Sequence, residues 1–200
     1  MEEVTGSSPV GSTKKDFLKT SRNLFCFAII MSMIATSHVI IGGTAAVAVT
    51  ALTHNPAAAL AVGILSHFLC DSLPHLDAPA NVKFRADGEV IWDRTLYIFA
   101  ITDSLAAMII ILAIWIAKYN FAFFTPFAWG ALGGYLPDLL DNFPIWRDQI
   151  HSFPGFRAFH KFHIWIHDNW RFKYPMPQYW KLGTLTQIVT VLPCLYYLLK

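Results

Sequence analysis

Charge is what this 200-residue chain has least of. Only 14% of its residues are Asp, Glu, Lys or Arg, where a soluble domain carries about a quarter. That deficit excludes an ordinary solvated surface. Cysteine is scarce too: Cys26, Cys70 and Cys194 show no paired or CxxC spacing, so neither a disulfide framework nor a thiolate zinc site is indicated. The formal net charge of +2 is too small to suggest nucleic acid as a partner. No Ser-His-Asp order and no nucleophile-elbow pattern argues for covalent catalysis.

Apolar residues fill the space that charge leaves. They make up 55% of the chain, mean hydropathy is +0.45, and they fall in blocks. The blocks predict an all-α polytopic membrane protein, since a helix needs about 20 apolar residues to cross the hydrocarbon. Five spans are expected, at 33–53, 57–73, 96–117, 126–140 and 182–199. With the N-terminus inside, Lys and Arg distribute 13 to 2 in favour of the cytoplasmic face. This predicts a multi-pass protein of the cell membrane with the lipid bilayer as its first partner. Residues 1–32 read either as a flexible polar tail or as a misassigned start, with Met31 or Met33 the true one. Residues 33–144 form the transmembrane core, 145–181 a cytoplasmic aromatic and basic segment, and 182–200 the last span.

Two stretches of the core match position for position. Residues 61–71 (AVGILSHFLCD) and 128–138 (AWGALGGYLPD) share Ala, Gly, Leu, an aromatic, Leu and Asp. The match predicts a parallel two-helix repeat, 33–77 and 96–144, about an axis along the membrane normal. Gly42-Gly43 and Gly133-Gly134 suit close helix packing.

Ionisable groups within a span are costly and therefore functional suspects. On the predicted topology, His38, His67, Asp71, Asp103, Asp138 and Asp141 all lie in the cytoplasmic half. His67 and Asp71 are i,i+4 on one helical face, and His75 is the next step if the helix outlasts Pro74. Asp138 and Asp141 are i,i+3 and able to chelate or bridge. His160, His163 and His167 share one side of an amphipathic helix, with Phe159, Phe162, Ile166 and Trp170 on a flanking apolar side. His54 and His151 fall in connecting loops and receive no role. Imidazole and carboxylate together are the ligand set of zinc, manganese or non-haem iron.

The residues also resemble a family. The segments 36–43 (TSHVIIGG), 63–71 (GILSHFLCD) and 136–141 (LPDLLD) are similar to elements of the predicted integral-membrane metal-dependent hydrolases. Here the Ser-His-x-x-x-Asp element precedes the Pro-Asp element, the reverse of the family order, and a His-Arg-Gly-x-Thr-His segment is absent. The resemblance implies a metal site and hydrolytic activity. Together with the spacing it gives one expectation. His38, His67, Asp71 and Asp138 hold one or two divalent ions, zinc or manganese, and Asp141 or Asp103 acts as the base. His75, His160, His163 and His167 add ligands or grip the substrate, a phospholipid or other phosphorylated amphiphile. The competing expectation is a non-enzymatic membrane protein, either an ion or proton path or a scaffold that binds lipid or a partner.

Overall fold

In the computed structural model, residues 34–50, 55–75, 91–143, 145–171 and 176–200 are described, with the side chains of 34, 168–171 and 176–180 excepted. The expectations on residues 1–32, on His54 and on the Trp170 side chain fall outside them. The described chain is helical: α1 Ile34–Thr50, α2 Pro56–Asp71, α3 Arg94–Lys118, α4 Phe121–Asn142, α5 Arg147–His151, α6 Pro154–Arg171 and α7 Met176–Leu199.

Local sequence sets these boundaries. Asn55 caps α2, its side-chain oxygen accepting from the amides of Ala57 and Ala58, with Pro56 at the first helical position where no amide is missed. Asp93 caps α3 through the Leu96 amide. Between α3 and α4 the chain reverses in two residues: Tyr119 takes a left-handed conformation (φ 36°) and Asn120 caps the next helix. The fourth apolar segment therefore begins at Phe121, five residues before the expected Pro126, and Pro126 and Pro137 both lie inside α4. The Asn cap, not the proline, marks the start.

The core is three helices, α1, α2 and α4, which make the most extensive contacts in the molecule. Glycine allows it. A Cβ on Gly63 of α2 would overlap the Gly130 carbonyl of α4, and one on Gly134 would overlap the His38 carbonyl of α1. Small residues let helix backbones approach this closely. Below these crossings Val39, Ile40, Val47, Ile114, Phe127, Ala131, Val191 and Leu198 form the apolar core.

The expected two-fold repeat is not what the helices form. A two-fold axis that packs α1 along α4 must pack α3 along α2 in the same way. Yet α3 instead lies against α1, α4 and α7 and makes no comparable contact with α2. The sequence match has a simpler cause. Gly63 and Gly130 occupy equivalent places because α2 and α4 touch there, and each helix then runs on to an acid at the same end.

Contacts fix the direction of each helix. Ala35 and Thr36 meet Asp103, Ser104 meets Tyr135, His38 meets Asp71, and Gly183 meets His75. The starts of α1, α3 and α7 and the ends of α2 and α4 thus share one end of the bundle. Arg94, Arg147, Arg157, Lys161 and Lys181 follow that end, whereas Lys118 and Lys200 close helices at the other.

Two helices, α3 and the Lys181–Leu199 part of α7, are long and apolar enough to cross a membrane by length and composition. Only 17% and 22% of their apolar windows are buried. Ile98, Ile101, Leu105, Met108, Ile109, Leu112 and Ile116 line up exposed along α3. Apolar surface of that extent marks contact with lipid or a partner. The first two apolar helices, at 17 and 16 residues, span about 25 Å each. Over their described residues neither reaches the roughly 30 Å of hydrocarbon, and two helices meet the length and composition of a span.

Candidate metal centre

Seven of the chain's eight histidines converge at the shared end. Five of them surround Asp71, at the last turn of α2. His67 Nε2 is 2.9 Å from its carboxylate, His163 Nε2 3.0 Å, His38 Nε2 and His167 Nε2 each 3.2 Å, and His75 Nε2 3.6 Å. His38 comes from α1, His67 from α2, and His163 and His167 from α6. Helix α2 does end at Asp71, but the turn beyond it brings His75 back to the same carboxylate.

Partners assign the tautomers. The ring nitrogen Nδ1 of His67 lies 2.8 Å from the Gly134 carbonyl, and that of His75 lies 2.8 Å from the Leu73 carbonyl. A carbonyl only accepts, so both Nδ1 atoms carry the proton. The Nε2 atoms of both rings are therefore the ones turned toward Asp71, as lone pairs whenever the ring is neutral. His67 Nε2 also lies 3.1 Å from His163 Nε2, which lies 3.1 Å from His167 Nε2. Each of these Nε2 atoms either donates a proton to a neighbour or presents a lone pair, and in the second state donors at 2.9–3.2 Å suit a cation among them. Ligands of a tetrahedral zinc at about 2.05 Å lie roughly 3.3 Å apart, so the spacing is that of a ligand cage. Several triplets of these donors, including His38–Asp71–His75 and His67–Asp71–His163, lie within 4.8 Å of one another.

Asp141 organises the other flank. Its Oδ1 accepts from His151 Nε2 and His160 Nδ1, each at 2.8 Å, and its Oδ2 accepts from His163 Nδ1 at 2.9 Å. His163 is thereby strung between two carboxylates, Asp141 behind and Asp71 in front. A carboxylate behind a ligating imidazole fixes its tautomer and raises its basicity. Burial works to depress the His163 pKa. Hydrogen bonds to Asp141 and Asp71 and the nearby Asp138 outweigh burial and the opposing charge of His167, lifting it to about 9.

That shift fixes a sign. A raised pKa stabilises the metal-free fold fully below the ordinary histidine value of 6.5, and the contribution is lost as pH rises through about 9. Metal has the opposite preference, because binding at Nε2 must displace the proton. Affinity should tighten as pH rises over that window, by up to about tenfold per unit for one displaced proton. Isothermal titration with Zn²⁺ or Mn²⁺ at several pH values reads this directly; a pH-independent affinity would exclude His163 as a ligand.

Both expected bases are engaged by other groups of the chain. Asp103 stands apart from the cluster: its Oδ2 accepts from the Ala35 amide at 2.6 Å and its Oδ1 from the Thr36 hydroxyl at 2.9 Å. It caps the first turn of α1, where amides have no helical partner. Asp141 accepts from three imidazoles, which occupy three of the roughly four lone-pair sites of a carboxylate. The i,i+3 pair has divided surroundings. Asp138 faces His163 Nε2 at 3.7 Å, accepts from Asn142 at 3.1 Å, and keeps Oδ2 buried with no hydrogen-bond partner among the described residues.

The three-histidine face of α6 is as the spacing predicts, with His163 buried and His160 and His167 half-buried. Its apolar flank splits. Ile166 is buried, while Phe162 stays exposed even as it and Phe159 pack on Phe68 of α2. This aromatic seam docks α6 over the site. His151 was missed by sequence reasoning: no spacing rule ties it to Asp141 across the turn into α5. The count of histidines alone would have pointed to it.

Comparison with protein-family models, characterised proteins and solved structures found no match to this chain.

Proposed function

We propose that this protein is a multi-pass membrane protein and a metal-dependent hydrolase acting at the cytoplasmic surface on a phospholipid or other phosphorylated amphiphile. The observation that carries it is the convergence of five imidazoles on the buried Asp71. His38, His67, Asp71, His75, His163 and His167 would hold zinc or manganese. A divalent ion so placed supplies Lewis acidity, lowering the pKa of a coordinated water and polarising a phosphoryl oxygen.

The chain's own groups then divide the remaining work. Asp138, beside His163, has a carboxylate oxygen with no hydrogen-bond partner among the described residues, and takes the proton of the attacking water. Asp141 holds the imidazoles of His151, His160 and His163 in register. Phe68, Phe159 and the helices around them keep bulk water from Asp71, which is 1% exposed.

Placement at a lipid surface has its own support. Helix α6 turns its histidines inward and leaves Phe156, Phe162 and Trp165 exposed among Arg157 and Lys161. Such a face suits the headgroup layer. Bare apolar sides on α3 and α7 suit the acyl chains. An ion path is disfavoured by the opposite half of the bundle, where Phe127, Ile114 and Leu198 are buried in apolar contact.

The test is turnover. Purified protein loaded with Mn²⁺ or Zn²⁺ should release phosphate or a phosphorylated headgroup from vesicles doped with phosphatidic acid or phosphatidylglycerol. The rate should exceed that of chelator-treated protein at least tenfold. Intact lipids and intact soluble phosphate esters after prolonged incubation of the loaded protein would refute hydrolysis.

A further inference from the structure

We infer that the pocket holds two divalent cations, with Asp71 as the carboxylate shared between them. This rests on the metal-binding reading above and specifies how many ions the pocket takes and which residues divide them.

The two oxygens of Asp71 face different sets of imidazoles. Oδ1 faces His38 Nε2 at 3.2 Å and His75 Nε2 at 3.6 Å. Oδ2 faces His67, His163 and His167, at 2.9, 3.0 and 3.2 Å. Five imidazole nitrogens and a carboxylate exceed the four ligands of a tetrahedral zinc. They suit two ions joined by a carboxylate, the arrangement of two-metal sites whose ions lie about 3.5–4 Å apart.

The tautomers make the same point independently. His67 and His75 each give the Nδ1 proton to a backbone carbonyl, and they stand on opposite sides of Asp71. Each oxygen is therefore faced by an imidazole whose Nε2 is the nitrogen left to bind a cation. Oδ1 is buried and receives no hydrogen bond among the described residues. Each carboxylate oxygen thus has its own imidazole nitrogens with which to share a cation.

The halves also come from different elements. His75 follows α2 and packs against Gly183 of α7, whereas His163 and His167 belong to α6. One half can thus be removed without the other. Protein stripped with chelator, reloaded with Mn²⁺ and desalted should carry two ions per chain by mass spectrometry. Its electron paramagnetic resonance spectrum should show spin-coupled manganese. His75→Ala and His167→Ala should each retain one ion and give the six-line spectrum of isolated manganese. One ion and an uncoupled spectrum in the unmutated protein would overturn the shared-carboxylate pair while leaving single-metal hydrolysis standing. No retained ion would overturn both. Because the unmutated protein decides the number, a variant that fails to fold does not blunt the test.

Discussion

Asp71→Asn is expected to empty the site while leaving the fold in place. Asparagine matches the carboxylate in shape, and its amide group can still hydrogen-bond the surrounding imidazoles. What it lacks is the negative charge that faces His38 and His75 through one oxygen and His67, His163 and His167 through the other. Losing an outer-sphere partner of a metal typically costs 10–100-fold in affinity. Losing this ligand should exceed the upper end of that range, about 100-fold or more. The D71N protein should keep the helical circular dichroism of the unmutated protein. It should retain under a tenth of its Zn²⁺ or Mn²⁺ after desalting, and its melting temperature should cease to rise on adding metal, since only a ligand that binds the folded state stabilises it. Unchanged metal content in D71N would end the case for this pocket.

The second large effect is expected far from any ligand atom. Gly134→Ala adds one methyl group, yet its Cβ would overlap the His38 carbonyl and press on Gly42 Cα at 3.4 Å. Backbone cannot yield as a flexible side chain can, so α1 and α4 must part. Overpacking of this kind costs about 1–3 kcal/mol. Here it carries a second penalty, because the displaced helix bears His38. G134A should therefore lose thermal stability in detergent and weaken metal binding together. Gly155→Ala is the matched control: nothing lies within 4 Å of the added atom. If G134A melts and binds metal as G155A does, the glycine crossing does not position the site.

Helical class and the identity of the polar cluster were legible in the residues themselves. Block hydropathy and caps such as Asn55 and Asp93 are local properties, set within a few residues. The i,i+4 relation of His67 to Asp71 and the shared face of His160, His163 and His167 follow from helical periodicity alone. Even the common end of the acids could be read, since direction alternates between consecutive helices.

Local rules failed where distance along the chain had to be crossed. The 61–71 and 128–138 match suggested symmetry, but packing gave those helices a common crossing instead. Asp103 and Asp141 read as bases because both are acids near the site. The structure adds that one caps a helix 67 residues away and the other accepts from three imidazoles. His151 could not be linked to Asp141 by any period, because a turn separates them.

The sequence by itself determined that this chain is helical and apolar and that it gathers histidine and aspartate, because composition and the 3.6-residue period fix those things locally. Only the tertiary structure decided which carboxylate is surrounded by imidazoles and which is engaged elsewhere. That outcome depends on glycine-mediated backbone approach between α1, α2 and α4 and on α6 folding back over their ends. Neither is encoded within any single segment.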